Sequence, residues 1–246
     1  MDDGLITRNP CRARSVRAPK VERRKVEPWS RERVRAVREG LPDQYRLTVD
    51  LASGCGLRQG EVFGLAVDKV DFLSGMIRVG LQVKMIGSEL VFAPPKGGKI
   101  RDVPLADTTA TLLTQHITQR PPLEVTLPWK TPDGPPVTAA LLLYTREHKA
   151  LNRNYFNMYL WKPALVTAEV IPERQPGERF KASREHGMHA LRHYYASVLL
   201  DAGENIKALA EYLGHSDPGF TLRTYTYLMP NSSERARRAI DAALGE

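Results

Sequence analysis

Cysteine is almost missing from this sequence: the 246 residues hold two, Cys11 and Cys55. Neither sits in a C-x-x-C pair or a Cys/His cluster, so there is no disulfide framework and no zinc site to read. Long apolar runs are missing as well. No stretch reaches the roughly 18 apolar residues that a membrane-crossing helix needs, and no signal-peptide pattern is present. The expectation is a protein of the reducing cytoplasm with no membrane partner. Composition is otherwise that of a globular chain, 42% hydrophobic and 26% charged. Its length suits one large domain or two small ones, with a real core.

Acidic residues are scarce only at the start. Residues 1–40 carry 12 Lys and Arg against 6 Asp and Glu, whereas the rest carry 24 against 22, giving a net charge of +8. A basic leader on a nearly neutral body predicts a polyanionic partner, nucleic acid first. A solvated tail that only aids solubility is the plainer alternative.

Residues 1–28 contain three prolines and no hydrophobic periodicity, and read as a basic linker. Order is expected from Ser30, an N-cap before "RERVRAVREG". A helix near 42–55 places Leu47, Leu51 and Cys55 on one inward stripe. "GCGLRQGEVFGL" is a glycine-broken turn entering a short helix. "GMIRVG", "ELVFAP" and "KIRDVPL" read as strands, the last two joined by the turn "PKGG". A helix follows near 106–119. Residues 121–136, with six prolines, read as an irregular connection. "LLLYT" reads as a short buried strand and 152–169 as a helix with Phe156, Leu160 and Ala164 in register.

In the C-terminal third, "HGMHALRHYYASVLLDAG" predicts a helix with Met188, Leu191, Tyr195, Val198 and Ala202 on its apolar stripe. "ENIKALAEYLGH" predicts another, with Ile206, Leu209 and Leu213 inward and Gly214 as its C-terminal cap. Asp217 and Pro218 look like the N-cap and first residue of the next helix. A final amphipathic helix, with Ile240 and Leu244 on its apolar side, is expected over 231–245. The class expected is α+β, mainly helical, with a small three-stranded antiparallel sheet.

Taken singly, the polar residues that could carry chemistry have ordinary explanations. Arg58 in a glycine-rich turn reads as a surface charge, and Lys96 at a hairpin tip as an exposed lysine. His189 and Arg192, three apart, share a helix face and could be a boundary pair. His215 follows a helix-ending glycine, where imidazoles bond the last carbonyls. Tyr225 or Tyr227 could be core aromatics. Two tyrosines two positions apart point about 200° from each other on a helix, so one surface can use only one of them.

Order and spacing change that reading. "GCGLRQGE", "PPKGGKIRDVPL", "HALRH" and "LGH", followed ten residues on by a tyrosine, resemble the tyrosine recombinase (phage integrase) family from about Ser30 to the C-terminus. "ALNRNYFN", "GMHALRH" and "DPGFTLRTYT" resemble integrases of actinobacterial phages and integrative plasmids. The resemblance implies a catalytic domain over 29–246, with 1–28 the remnant of a missing N-terminal DNA-binding domain. It places the two phosphate-clamping arginines at Arg58 and Arg192, with Glu61 supporting the first. The hairpin lysine falls on Lys96, with Lys99 across the turn as the second choice. The histidine of H-x-x-R falls on His189, the later histidine on His215, and the nucleophile on Tyr225.

These residue types suit a metal-free phosphodiester exchange. A tyrosine oxygen attacks phosphorus and a 5′ hydroxyl leaves, storing the bond as a 3′-phosphotyrosyl link. Two guanidiniums can bind the non-bridging oxygens and stabilise the transition state. Lys96 would protonate the leaving oxygen, His189 would exchange the tyrosine proton, and His215 would donate to the phosphate. No carboxylate cluster is present to hold a metal, and no cofactor is expected. Tyr227, seven residues after Phe220, lies over it on one face as a core pair would; Tyr225 is about 140° away and can face a polar pocket. The partners implied are double-stranded DNA at attachment sites and a homotetramer on paired sites, with a monomer when free. A catalytically silent DNA-binding remnant and a type IB topoisomerase-like enzyme are the alternatives.

Overall fold

The computed structural model describes residues 27–175, 177–178, 180, 185–215 and 217–225, together with 237, 240, 241 and 244. Most of the basic leader and Tyr227 therefore lie outside the described residues, as does most of the 231–245 segment. Arg237, Ile240, Asp241 and Leu244 of that segment are helical and exposed. Among the described residues no helix is long and apolar enough to cross a membrane.

Ser30 opens the first helix, α1 (Arg31–Glu39), by accepting the Arg33 backbone N–H at 3.2 Å. Trp29 beside it stacks on Trp161 with ring planes 5° apart, pinning the entry to the domain. The axis of the domain is α2 (Asp43–Gly54), buried at every position from Gln44 to Ala52 except Arg46. The expected stripe of Leu47, Leu51 and Cys55 is buried, at 2% exposure or less. α2 packs on α1, on α3 (Gln59–Phe63), on α4 (Asp107–Gln119) and on α7 (His189–Asp201). Burial of apolar side chains around this one helix supplies the main stabilising term.

The sheet region differs from expectation. β1 (Val70–Asp71), β2 (Met76–Val79) and β5 (Arg101–Pro104) form one antiparallel sheet in the order β1-β2-β5. The "ELVFAP" strand, β4 (Glu89–Ala93), does not join it but pairs with β3 (Gln82–Ile86). Residues 94–100 are therefore a crossing between two sheets and not a hairpin turn. Gly97 and Gly98 take φ of 79° and 71° there, a region open mainly to glycine.

The proline-rich stretch is not irregular either. β6 (Leu123–Pro128) and β7 (Pro136–Leu141) pair antiparallel over six residues. Pro128 and Pro136 face each other at the loop end, so their missing N–H groups leave the ladder interior of Val125–Leu127 and Val137–Ala139 intact. The single helix expected over 152–169 is broken into α5 (Arg153–Phe156), a π turn (Asn157–Trp161) and α6 (Lys162–Thr167).

α7 is followed by α8 (Ile206–Leu213) and α9 (Pro218–Tyr225). Gly214 ends α8 in the left-handed region, φ 61°, as the glycine predicts. Asp217 Oδ1 accepts the Gly219 N–H at 2.8 Å, capping α9 at Pro218. The inward face of α7 is rotated from the expected stripe. Val198 is 47% exposed and Ala202 is exposed, while Arg192, Ala196 and Leu200 are buried with Leu191 and Tyr195. An arginine takes a core-facing position here, and its partners explain why.

Candidate active site

The C-terminal end of α8 is the focus of the site, because four successive carbonyls there each receive a cation. Arg101 Nε donates to Tyr212 O at 2.7 Å, and Arg192 Nη2 donates to Leu213 O. Arg58 Nη2 reaches Gly214 O at 3.5 Å, and Lys99 Nζ reaches His215 O at 3.4 Å. The last carbonyls of a helix lack intrahelical donors and carry the negative end of its dipole, so a ring of cations is a favourable partner. α8 thus gathers cations from α3, β5, the 94–100 crossing and α7.

Beneath this ring lies one carboxylate. Glu61, 1% exposed, accepts both terminal nitrogens of Arg101, at 3.0 and 2.7 Å. It also accepts the Arg58 backbone N–H at 2.8 Å and Arg58 Nη1 at 3.0 Å. Burial by itself would raise the Glu61 carboxyl. The hydrogen bonds and charge of Arg101, then the charge of Arg58, outweigh it and hold the group down at about 2. Glu61 thus holds Arg58 as part of a triad with Arg101.

Arg192 is the most enclosed cation. It is 1% exposed and donates to Gly56 O at 2.6 Å as well as to Leu213 O. Burial, then the neighbouring Arg58, push its guanidinium down to about 9, which leaves it charged at neutral pH. Among the described residues its Nε has no partner. Nη2 lies 3.3 Å from His215 Nε2, and a guanidinium can only donate, so Nε2 accepts. The other ring nitrogen, Nδ1, then carries the proton toward Thr221 Oγ1 at 2.6 Å. In this arrangement His215 orients Arg192 and has no proton on Nε2 to give.

Three histidines stay neutral in this field. Burial and then Arg192 push His215 down to about 3, and burial and then His189 push His193 down to about 3. His189 keeps an open edge to solvent, yet the enclosing protein and then the charge of Arg192 lower it to about 4, with Lys96 contributing. His189 and His193 are one helical turn apart and meet edge to face at 4.6 Å. Tyr225 is 1% exposed, and its hydroxyl lies 2.7 Å from His193 Nδ1.

The structure therefore brings Arg58, Glu61, His189, Arg192, His215 and Tyr225 into one region. Lys96 and Lys99 are exposed on the crossing above it, and of the two Lys99 makes the contact with α8. Phe220 does not mark a core face as expected: it is 45% exposed and packs edge to face on His215 at 5.0 Å. Tyr225 itself is turned inward. Two residues escaped the sequence reading, Arg101 in "KIRDVPL" and His193 in "HALRH". The i,i+4 spacing of His189 and His193 was the available signal for the second. Among the described residues no three His, Cys, Asp or Glu side chains converge to hold a metal. The buried Cys55 thiol is pushed up to about 12 by burial and offers no thiolate.

Residues 34–231 match the phage integrase family. The chain belongs to that family. A tyrosine recombinase XerC-like protein of Caldanaerobacter subterraneus is 26% identical over 263 residues, covering 96% of this chain and 60% of the relative. Tyrosine recombinase XerD of Staphylococcus epidermidis is 30% identical over 184 residues, covering 74% of this chain and 50% of the relative. This integrase-family chain thus spans between half and two thirds of the length of these curated relatives. Its fold is similar to that of the Tn1549 transposon integrase solved with transposon right end DNA. There the TM-score is 0.66 at 20% identity, covering 93% of this chain and 69% of that one. The catalytic domain of bacteriophage HP1 integrase gives a TM-score of 0.53 at 21% identity, covering 90% of this chain and 99% of that domain.

Proposed function

We propose that this chain is the catalytic domain of a site-specific DNA recombinase that cuts and rejoins DNA through a 3′-phosphotyrosyl intermediate at Tyr225. The observation that carries the reading is the convergence of Arg58 and Arg192 on the end of α8, beside an inward-facing tyrosine. Each arginine is held by backbone carbonyls or by Glu61, so little reorganisation is needed when a phosphate enters. Both guanidiniums stabilise charge on the non-bridging oxygens as Tyr225 Oη bonds to phosphorus and the 5′ oxygen leaves. Lys96, on the exposed crossing, protonates that oxygen; His189, with an edge open to solvent, receives the tyrosine proton once the phosphate has offset the arginine field. His215 keeps Arg192 in place. The cations provide the positive charge for this scheme.

The partner is double-stranded DNA at attachment sites, engaged in the cytoplasm by a homotetramer on paired sites, and the free chain is a monomer. Residues 1–28 serve as the basic linker to a further DNA-binding domain. The motifs "ALNRNYFN" and "DPGFTLRTYT" support a kinship with actinobacterial phage and plasmid integrases. A nicked suicide duplex bearing the attachment site tests the reading. A covalent adduct on a denaturing gel is the expected result; bound DNA with no adduct would instead identify a silent DNA-binding remnant.

A further inference from the structure

We propose that His193 is a positioning residue for cleavage, its imidazole holding the Tyr225 phenol in the site through a hydrogen bond at Nδ1 before DNA arrives. This rests on the reading of Tyr225 as the nucleophile. The two ends of the bond differ in how firmly they are held. His193 stands on α7, a helix locked into the core by Leu191, Tyr195, Ala196 and Leu200, each 6% exposed or less. Tyr225 stands on α9, whose described residues, Pro218–Tyr225, pack chiefly on α8. A phenol has side-chain rotamers to lose, and a fixed acceptor selects one of them.

The geometry suits that purpose. The hydroxyl-to-Nδ1 separation is 2.7 Å, the rings lie 5.6 Å apart and tilted by 60°, and Tyr225 is 1% exposed. His193 is kept neutral by burial, the adjacent His189 and Arg192. A neutral imidazole retains a lone pair, so it can accept the phenol proton as a hydrogen bond. A protonated ring could only donate to the phenol oxygen and would tie up the pair that must attack phosphorus. His189 packs edge to face against His193 and braces the imidazole as well.

The test is the single-turnover rate of covalent capture on a nicked suicide duplex, with DNA affinity and melting temperature measured in parallel on the full chain. His193→Leu is expected to slow capture by about tenfold, the scale of one neutral hydrogen bond at its upper end, with DNA affinity unchanged. His193→Asn, whose Oδ1 falls where Nδ1 lies, should recover most of the rate. His193→Gln, whose amide reaches toward Nε2, should not. Should His193→Leu melt early, the Asn and Gln variants decide alone: faster capture by Asn supports the inference and equal rates overturn it. Tyr225→Phe separates the two layers of the reading. An adduct that survives Tyr225→Phe refutes the nucleophile assignment, and this inference with it. A dead Tyr225→Phe beside a His193→Leu that captures DNA at the wild-type rate overturns only the role of His193.

Discussion

Glu61→Gln should unlock the site and destabilise the fold together. The side chain of Glu61 is completely buried and accepts four N–H groups, two from Arg101 and two from Arg58. The carboxyl sits at about 2 in the folded protein against 4.5 when free. At about 1.4 kcal/mol per unit, that depression corresponds to about 3 kcal/mol of stability at neutral pH. A folded-state value below the unfolded one means the contribution is complete above about pH 4.5 and disappears as pH falls toward 2. Glutamine keeps the shape but removes the charge and turns an NH2 donor toward guanidinium donors. Arg101, whose side chain is 3% exposed, would then be buried without a counter-ion. Breaking a buried pair from one side costs about 3–5 kcal/mol. In a chain of this size each kcal/mol moves Tm by roughly 2–4 °C, so a fall of at least about 6 °C is expected at pH 7. Melting followed by circular dichroism from pH 7 to pH 3 should show the gap between wild type and variant closing below pH 4.5. The double change Glu61→Leu/Arg101→Met should cost less than the two single changes added together, because neither charge is then left alone. A loss under about 1 kcal/mol at pH 7, or a gap that stays constant down to pH 3, would refute the reasoning.

Arg192→Lys should lower covalent capture by about 10²–10³-fold, since one lysine nitrogen cannot serve Gly56 O, Leu213 O and a phosphate together; capture within tenfold of wild type in single-turnover assays would remove Arg192 from the clamp. A bridging 5′ phosphorothiolate, whose leaving group needs no proton, should rescue Lys96→Ala but not Arg58→Ala; rescue of Lys99→Ala instead would move the general acid to the lysine that touches His215. Gly56→Ala should destabilise by about 1–3 kcal/mol in denaturant titration, because φ is 63° and a Cβ would fall 2.5 Å from the Tyr195 ring. An unchanged midpoint would show that Tyr195 yields freely.

Where the signal for an element is local, the sequence is sufficient. Ser30 before α1, Gly214 after α8 and Asp217–Pro218 before α9 act through their own neighbours' backbone groups, and each does what its chemistry implies. The β6–β7 hairpin was hidden because its prolines were counted without their register, and register is set by the partner strand. β3 was missed for the same reason: "QVKMI" shows its pairing only once β4 lies beside it. The site shows the limit most sharply. The order of the motifs singles out Arg58, Lys96, His189, Arg192, His215 and Tyr225 as candidates. Yet in a linear reading Arg192 is a charge to be kept on the surface, and Arg101 is one more basic residue in a strand. What lets both be buried is 40 residues away in Glu61 for Arg101, and 136 and 21 residues away in Gly56 and Leu213 for Arg192. A buried cation is tolerable only when its donors are met, so its burial cannot be inferred before the fold that supplies the acceptors. The α8 terminus supplies several at once. A helix ending in a left-handed glycine frees its last carbonyls from continuing the helix, and the cations around them are then spaced by the carbonyls themselves. On that account Gly214 sets the geometry of the cation ring as directly as the arginines do. Gly214→Ala would bring a Cβ within 3.0 Å of Arg101 Cδ and strain the φ that aims those carbonyls. It should therefore lower covalent capture more than its effect on Tm would predict. A variant whose capture rate falls only in step with its stability would show that the ring is held by the arginines alone.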